Sequence, residues 1–253
     1  GTPTWSEGKN LDDCQEEIID QGFRSFDREN QHNVEEAEGA LWSSEELNAT
    51  RMQKAPTLTR AVVGVDPASK SNDNSDETGI VAVGRDARPH GYVLDDWSGQ
   101  MKPKTWGRRA VRLHDKVDAA AIVAEVNQGG EMVQNVIENA AEQLHEEGQR
   151  DTDDITVKMV NAADGKRARA EPVEQRYDEH QVHHIGTLGE LERQMRTWDA
   201  KSGGESPDRV DALVWALTEL MLKKKSVGGG AFTSMRGEED DIQPTKNPLT
   251  NLR

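Results

Sequence analysis

The sequence predicts an α/β domain whose mixed sheet joins a three-strand antiparallel meander to parallel strands, with helices on its faces. Three observations carry that prediction. First, three β-branched runs lie close together, split by segments rich in Asn, Asp, Gly and Pro. Second, helical and strand patterns alternate after them, as crossover connections require. Third, three acidic islands set a carboxylate at the edge of an apolar stretch. They are Gly64-Val65-Asp66-Pro67-Ala68, the segment 122–130 around Glu125, and the segment 206–213 with Asp208 and Asp211.

Residues 1–58 are polar and weakly periodic. They read as a linker or arm, although Ala40-Leu41-Trp42 offers apolar groups for local packing. The folded domain is expected over 59–225. Arg60 to Val65, Gly79 to Val83 and Gly91 to Trp97 are the meander strands. Pro103 opens a helix to about Val117, with Trp106, Ala110, Val111 and Leu113 on its apolar side. Ala119 to Val126 is apolar apart from Glu125, which suits a strand covered on both faces. Gly129-Gly130 leads into a helix carrying Met132, Val133, Val136, Ile137, Ala140 and Leu144.

Ile155 to Val160 is the next strand. Asp164 to Tyr177 reads as a basic helix that Pro172 must kink or divide. Val182 to Ile185 is a short strand, and Leu188 to Trp198 a helix. Ser206 as N-cap and Pro207 at the first helical position open the last long helix. After Lys223-Lys224-Lys225 the chain turns polar and Gly-rich, and 226–253 is expected to be a disordered tail. Three strands, helix, strand, helix, strand and further helices is the order of the RNase H-like fold. In that sheet the first and fourth strands are neighbours, which places Asp66 beside Glu125.

Composition narrows the function. The 253 residues hold 47 acids against 31 Lys and Arg, a formal charge of -16, and mean hydropathy is -0.85. Nucleic-acid binders usually carry a basic excess. Here many acids lie outside the islands, in runs such as Glu35-Glu36, Asp153-Asp154 and Glu238-Glu239-Asp240-Asp241. Two readings are open: a protein that does not touch nucleic acid, or surface solvation, a trait of proteins from a salty cytoplasm, where screening weakens repulsion. The dispersal favours the second. The single cysteine, Cys14, excludes an internal disulfide. No 18-residue apolar run, secretory signal or nucleotide-phosphate loop of the Gly-x-x-x-x-Gly-Lys-Ser/Thr type is visible. The expected setting is intracellular. The start at Gly1-Thr2-Pro3 reads as the edge of a piece of something longer.

Each acid has an ordinary reading by itself. Asp66-Pro67 is a turn starter. Glu125 is a buried acid met by a local donor. Asp208 and Asp211 favour a helix N-terminus. Gathered in one place they repel one another, and divalent cations remove that penalty. Oxygen ligands select Mg²⁺ or Mn²⁺. With two ions, Asp66 bridges both, Glu125 holds one, and Asp208 with Asp211 holds the other. Such a pair activates a water and stabilises the leaving oxygen of a phosphodiester. Lys166, Arg167 and Arg169, in the main basic cluster, are candidate DNA-phosphate contacts. Lys223 to Lys225 read as a helix-dipole complement, His183 and His184 as structural groups, and the loop Asp73 to Glu77 as a solvated turn, with an outer neighbour of a metal as the alternative for Asp76.

Together with Gly165-Lys166 and Arg169-Ala170-Glu171-Pro172-Val173, the islands resemble the C-terminal nuclease domain of phage terminase large subunits. The resemblance runs from about residue 60 to 222. Gly39-Ala40-Leu41-Trp42 resembles the segment joining the packaging ATPase to that nuclease, so residues 1–58 would be the end of the ATPase region. The resemblance implies a metal-dependent endonuclease that cuts concatemeric double-stranded DNA during genome packaging. It implies Mg²⁺ or Mn²⁺, portal and small-subunit partners, an ATPase domain on the same polypeptide, and action in the host cytoplasm. Asp66 and Glu125 carry over to the first two catalytic positions. Asp208 and Asp211 resemble the paired last acids of RuvC-type resolvases. A stand-alone resolvase or other RNase H-like nuclease, and a non-catalytic portal-docking domain, are the alternatives.

Overall fold

The computed structural model describes residues 36–37, 39–67, 77–126, 130–199 and 207–222. Ser206, Asp76, Lys223 to Lys225, the expected tail and most of the expected arm lie outside them.

The described elements are, in order, α1 (Ser44–Ala49), β1 (Arg60–Asp66), β2 (Gly79–Arg85), β3 (Gly91–Asp96), α2 (Pro103–Lys116), β4 (Ile122–Glu125) and α3 (Gly130–Glu146). Then come β5 (Val157–Val160), α4 (Lys166–Asp178), β6 (Val182–His184), α5 (Gly189–Thr197), α6 (Asp208–Leu217) and a π-helical turn, Thr218–Leu222. No described helix is long and apolar enough to cross a membrane.

The sheet order is β5-β4-β1-β2-β3-β6. β1, β2 and β3 pair antiparallel, while β4 joins β1, β5 joins β4 and β6 joins β3 in parallel. This is the mixed, helix-flanked sheet of the RNase H-like fold, with β1 and β4 adjacent as expected. Side chains alternate across the pleat. Val62, Val81, Val83, Val93 and Val123 face a core shared with α4, α5 and α6. Val63, Val65, Ile80, Ala82 and Ala124 face a second core under α2 and α3. Trp42 and Leu47, from the segment ahead of β1, are buried in the first core.

Two elements depart from expectation. α4 runs through Pro172 as one helix. Proline removes one backbone hydrogen bond, but Ala170, Val173 and Tyr177 are buried on either side of it and tie both halves to the core. At α6, Pro207 itself occupies the N-cap with extended backbone, and helical geometry begins at Asp208.

Two glycines bring α6 onto the sheet. A β-carbon at Gly64 would overlap the Ala212 carbonyl oxygen, and one at Gly79 would overlap that of Asp208. Only hydrogen fits at this approach. The first turn of α6 therefore lies directly over the ends of β1 and β2.

Candidate active site

β1 and β4 run parallel with Val65 opposite Ala124. The next residue on each strand is its terminal acid, Asp66 and Glu125. Alternation turns both toward α6, since Val62 and Val123 of matching parity face that core. Neighbouring strands lie about 4.8 Å apart, so the two carboxylates stand side by side. α6 lowers Asp208 and Asp211 onto them. Asp66, Glu125 and Asp211 are buried, and Asp208 is half-buried.

The electrostatics report the same gathering. The Asp66 pKa is raised well above the ordinary carboxylate value, first by burial and then by the charges of Asp211, Glu125 and Asp208. Carboxylates from three separate chain segments thus act on one another, and all four are the acids that the sequence singles out.

Two cations from α4 enter the same space. The Lys166 ammonium lies 3.0 Å from Asp211 Oδ2. Arg169 donates to Asp211 Oδ1 at 3.2 Å and approaches Glu125 Oε2 at 3.7 Å through the same nitrogen. Its guanidinium also lies 4.8 Å from the Trp215 ring centre. Burial disfavours charge on Lys166, yet Asp211, Asp66 and Asp208 together hold its pKa above the ordinary value. Of the three basic residues assigned to DNA phosphates, Lys166 and Arg169 are therefore turned toward the acids. Arg167 points elsewhere and pairs with Glu171 at 2.7 Å. The Lys166 ammonium and the Arg169 guanidinium both engage Asp211, while Asp66 keeps the repulsion of three neighbouring carboxylates.

Three supporting contacts carry no signal in the motifs themselves. The Trp215 indole N–H donates to Glu125 Oε2 at 2.7 Å. Arg209 holds Glu77 with two nitrogens, each at 2.9 Å, and Asp96 at 2.5 Å. That buried fork fixes the start of α6 against the ends of β2 and β3. The spacing of Asp211 and Trp215, four residues apart on a helix, could have revealed a shared face.

The donor set suits a hard divalent cation, since it is all carboxylate oxygen. Among the described residues, however, no three acid, histidine or cysteine side chains converge as a ready-made metal cage. Asp211 is engaged by Lys166 and Arg169 instead. The raised Asp66 pKa is what a divalent ion would relieve, so the residues fit the ion chemically.

Comparison with known proteins shows the family and the fold. Residues 63–220 match the family model described as the terminase RNaseH-like domain. The nuclease domain of the large terminase subunit gp2 of bacterial virus Sf6 aligns at 14% identity, covering 70% of this chain and 98% of that one, with a TM-score of 0.50. A point mutant of that domain, solved with manganese and beta-thujaplicinol, aligns at 15% identity over the same shares, with a TM-score of 0.51. The large terminase of a thermophilic bacteriophage aligns at 10% identity and a TM-score of 0.49 over 71% of this chain. The chain spans 43% of that longer protein. No curated protein sequence matches the chain.

Proposed function

Because the chain belongs to the terminase RNaseH-like domain family, we propose that it is the endonuclease of a viral genome-packaging motor. It hydrolyses double-stranded DNA with Mg²⁺ or Mn²⁺, two ions in the full site. The observation that carries this reading is the burial of Asp66 among the charges of Glu125, Asp208 and Asp211. A structural acid does not gain from such company.

Asp66, Glu125, Asp208 and Asp211 would hold the metal. Bound there, it supplies a water of lowered pKa and a charge opposite the leaving 3′-oxygen. The chain's own residues prepare that site. Asp66 must lose its proton to act as a ligand, and Lys166 favours the loss. Trp215 holds the Glu125 carboxylate in one orientation. Arg209 fixes the first turn of α6, and with it Asp208 and Asp211. Lys166 and Arg169 limit the repulsion among the acids while no divalent ion is present, and Asp211 must exchange part of that pairing to ligate one.

A longer polypeptide would add the packaging ATPase, with portal protein and terminase small subunit as partners. The host cytoplasm is the place of action. The test is incubation of linear and supercoiled duplex with Mn²⁺ and with EDTA, using wild type and Asp66→Ala. Metal-dependent cutting lost in the variant supports the reading. Equal cutting by the variant overturns the site.

A further inference from the structure

α2 carries a strongly basic face on an acidic chain. Its fourteen residues include Lys104, Arg108, Arg109, Arg112 and Lys116 against one acid, Asp115. Lys104, Arg108 and Arg112 recur every four residues, so they form a stripe with steps of about 6 Å along the axis. Lys104, Arg109 and Arg112 are exposed, and Arg108 is half-buried. The helix start compounds the charge. Acids favour a first helical turn, yet the first turn of α2 holds none, and Lys102 and Lys104 stand there instead. This arrangement works against the helix's own stability.

A cavity of about 370 Å³ opens beside the stripe. Trp97, Lys104, Thr105, Arg108, Arg109 and Arg112 line it, and among the described residues no carboxylate does. Arg108 is neutralised by Glu147, with bonds of 2.9 and 2.5 Å. Arg112 donates to the neutral Gln149 side chain at 2.7 Å, and Arg109 to the Trp97 carbonyl at 3.2 Å. Both guanidinium groups thus keep their charge toward the cavity. Planar Arg forks match phosphate oxygens better than point charges do.

The Trp97 side of the cavity lies at the catalytic end of the sheet, and the stripe runs from there toward the far end, where Arg108 and Arg112 meet Glu147 and Gln149. Asp66 pairs with Gly79, and the next residue, Thr78, bridges Gly99 just past Trp97. β3 is two strands from β1, about 10 Å across the sheet. α2 covers the face opposite α6, so the acids and the Trp97 side of the cavity flank one edge from its two sides.

We propose that this cavity and the α2 stripe bind backbone phosphodiesters of the DNA whose cleaved bond lies at the acid cluster. It is a second contact, away from the chemistry. This rests on the nuclease reading above. Regular cation steps along a helix fit a regular polyanion. In a chain of charge -16, affinity for DNA must come from such local concentrations of positive charge.

The test uses the whole chain with duplex DNA in EDTA, so that no cutting occurs. The affinity of wild type is measured across a salt series and compared with Arg109→Gln/Arg112→Gln. Each lost phosphate contact lowers the slope of log K against log salt by about 0.9. The double variant is expected to lose about one to two units of slope, while Arg109→Lys/Arg112→Lys and the distant Arg193→Gln keep the wild-type slope. With Mn²⁺ and saturating DNA, the Gln variant still cuts, which also shows that it folds. A wild-type slope in the Gln variant overturns the proposal. So does binding of inorganic phosphate that the Gln variant loses without any change in DNA slope, which would assign the cavity to a small phosphate ligand. A wild type that cuts DNA but gives either of these results fails only this inference. A wild type that neither binds nor cuts DNA fails the nuclease reading as well.

Discussion

Two buried polar clusters lie on the α6 side of the sheet, and they are electrostatic opposites. In one, Tyr177, His184, Glu192 and Arg51 satisfy each other. The Tyr177 hydroxyl donates to His184 Nε2 at 2.8 Å, and His184 Nδ1 donates to Glu192 Oε1 at 2.9 Å. Arg51 closes the chain on both Glu192 oxygens, at 2.6 and 3.1 Å. Burial raises the Glu192 pKa, but bonds from His184 and Arg51 outweigh it and bring it down to about 2. In the other cluster, Asp66 meets burial and three like charges, and its pKa rises well above the usual range. One acid has been given every partner it needs. The other has been given repulsion. The first cluster ties α4, α5, β6 and the segment before β1 together. The second is a concentration of negative charge that a cation would relieve.

The sharpest way to break this comparison is to neutralise each acid. Asp66→Asn should lower metal-dependent DNA cutting by at least about 10³-fold, the scale of losing a principal charge-stabilising group. Glu192→Gln should leave cutting intact below its melting point. Its cost is stability, because Arg51 and His184 lose the charged acceptor, and Arg51 faces an amide NH2 where it met a second oxygen. Breaking a buried pair costs about 3 kcal/mol, or roughly 6–12 °C of Tm for a domain of this size. Calorimetry and a cleavage assay on both variants check the pair of outcomes. Substantial loss of cutting in folded Glu192→Gln would erase the distinction.

A smaller effect is expected at Trp215. Trp215→Phe keeps the ring under Arg169 and removes the donor to Glu125. Loss of such an orienting bond typically costs 10- to 100-fold in activity or metal affinity. The Mn²⁺ concentration needed for half-maximal cutting should rise accordingly.

The smallest effect concerns pH. Asp66 has a folded pKa above its unfolded one, so the metal-free protein loses stability as pH climbs from about 4 through the folded value. Asp66→Asn should remove that loss and raise the metal-free Tm at neutral pH. Glu192 behaves in the reverse sense. Its folded pKa is depressed to about 2, so its contribution is present above the unfolded pKa and lost as pH falls from about 4.5 toward 2. His184, whose burial lowers its pKa despite Glu192, adds acid sensitivity below about pH 6.5. Tm against pH for the two variants should therefore flatten opposite limbs of the curve.

Much of this is legible in the chain. The meander and the parallel strands follow from β-branched runs, and the pairing of β1 with β4 follows from the order of elements. Asp66, Glu125, Asp208 and Asp211 stand out because their islands set carboxylates at the edge of apolar stretches. What stays hidden depends on facing. Lys166 and Arg169 are three apart, and Ala170, Val173 and Tyr177 continue the same inward side of α4. As a linear basic cluster, they point to DNA. Folded, two of them point to the acids. Pro172 misleads for a related reason, since packing on both sides of it outweighs one lost hydrogen bond. The basic stripe of α2 is visible as a four-residue period, but its cavity requires Trp97 from the preceding turn.

The central claim is that the four acids form a cation site, and the most direct measurement is thermal stability during a Mn²⁺ titration in the absence of DNA. Wild type should gain about 2.7 kcal/mol at 100 times the dissociation constant, a rise of roughly 5–11 °C. Asp66→Asn should start from a higher metal-free Tm and shift far less over the same range. An equal Mn²⁺-dependent rise in the two proteins, or none in wild type, would contradict the account.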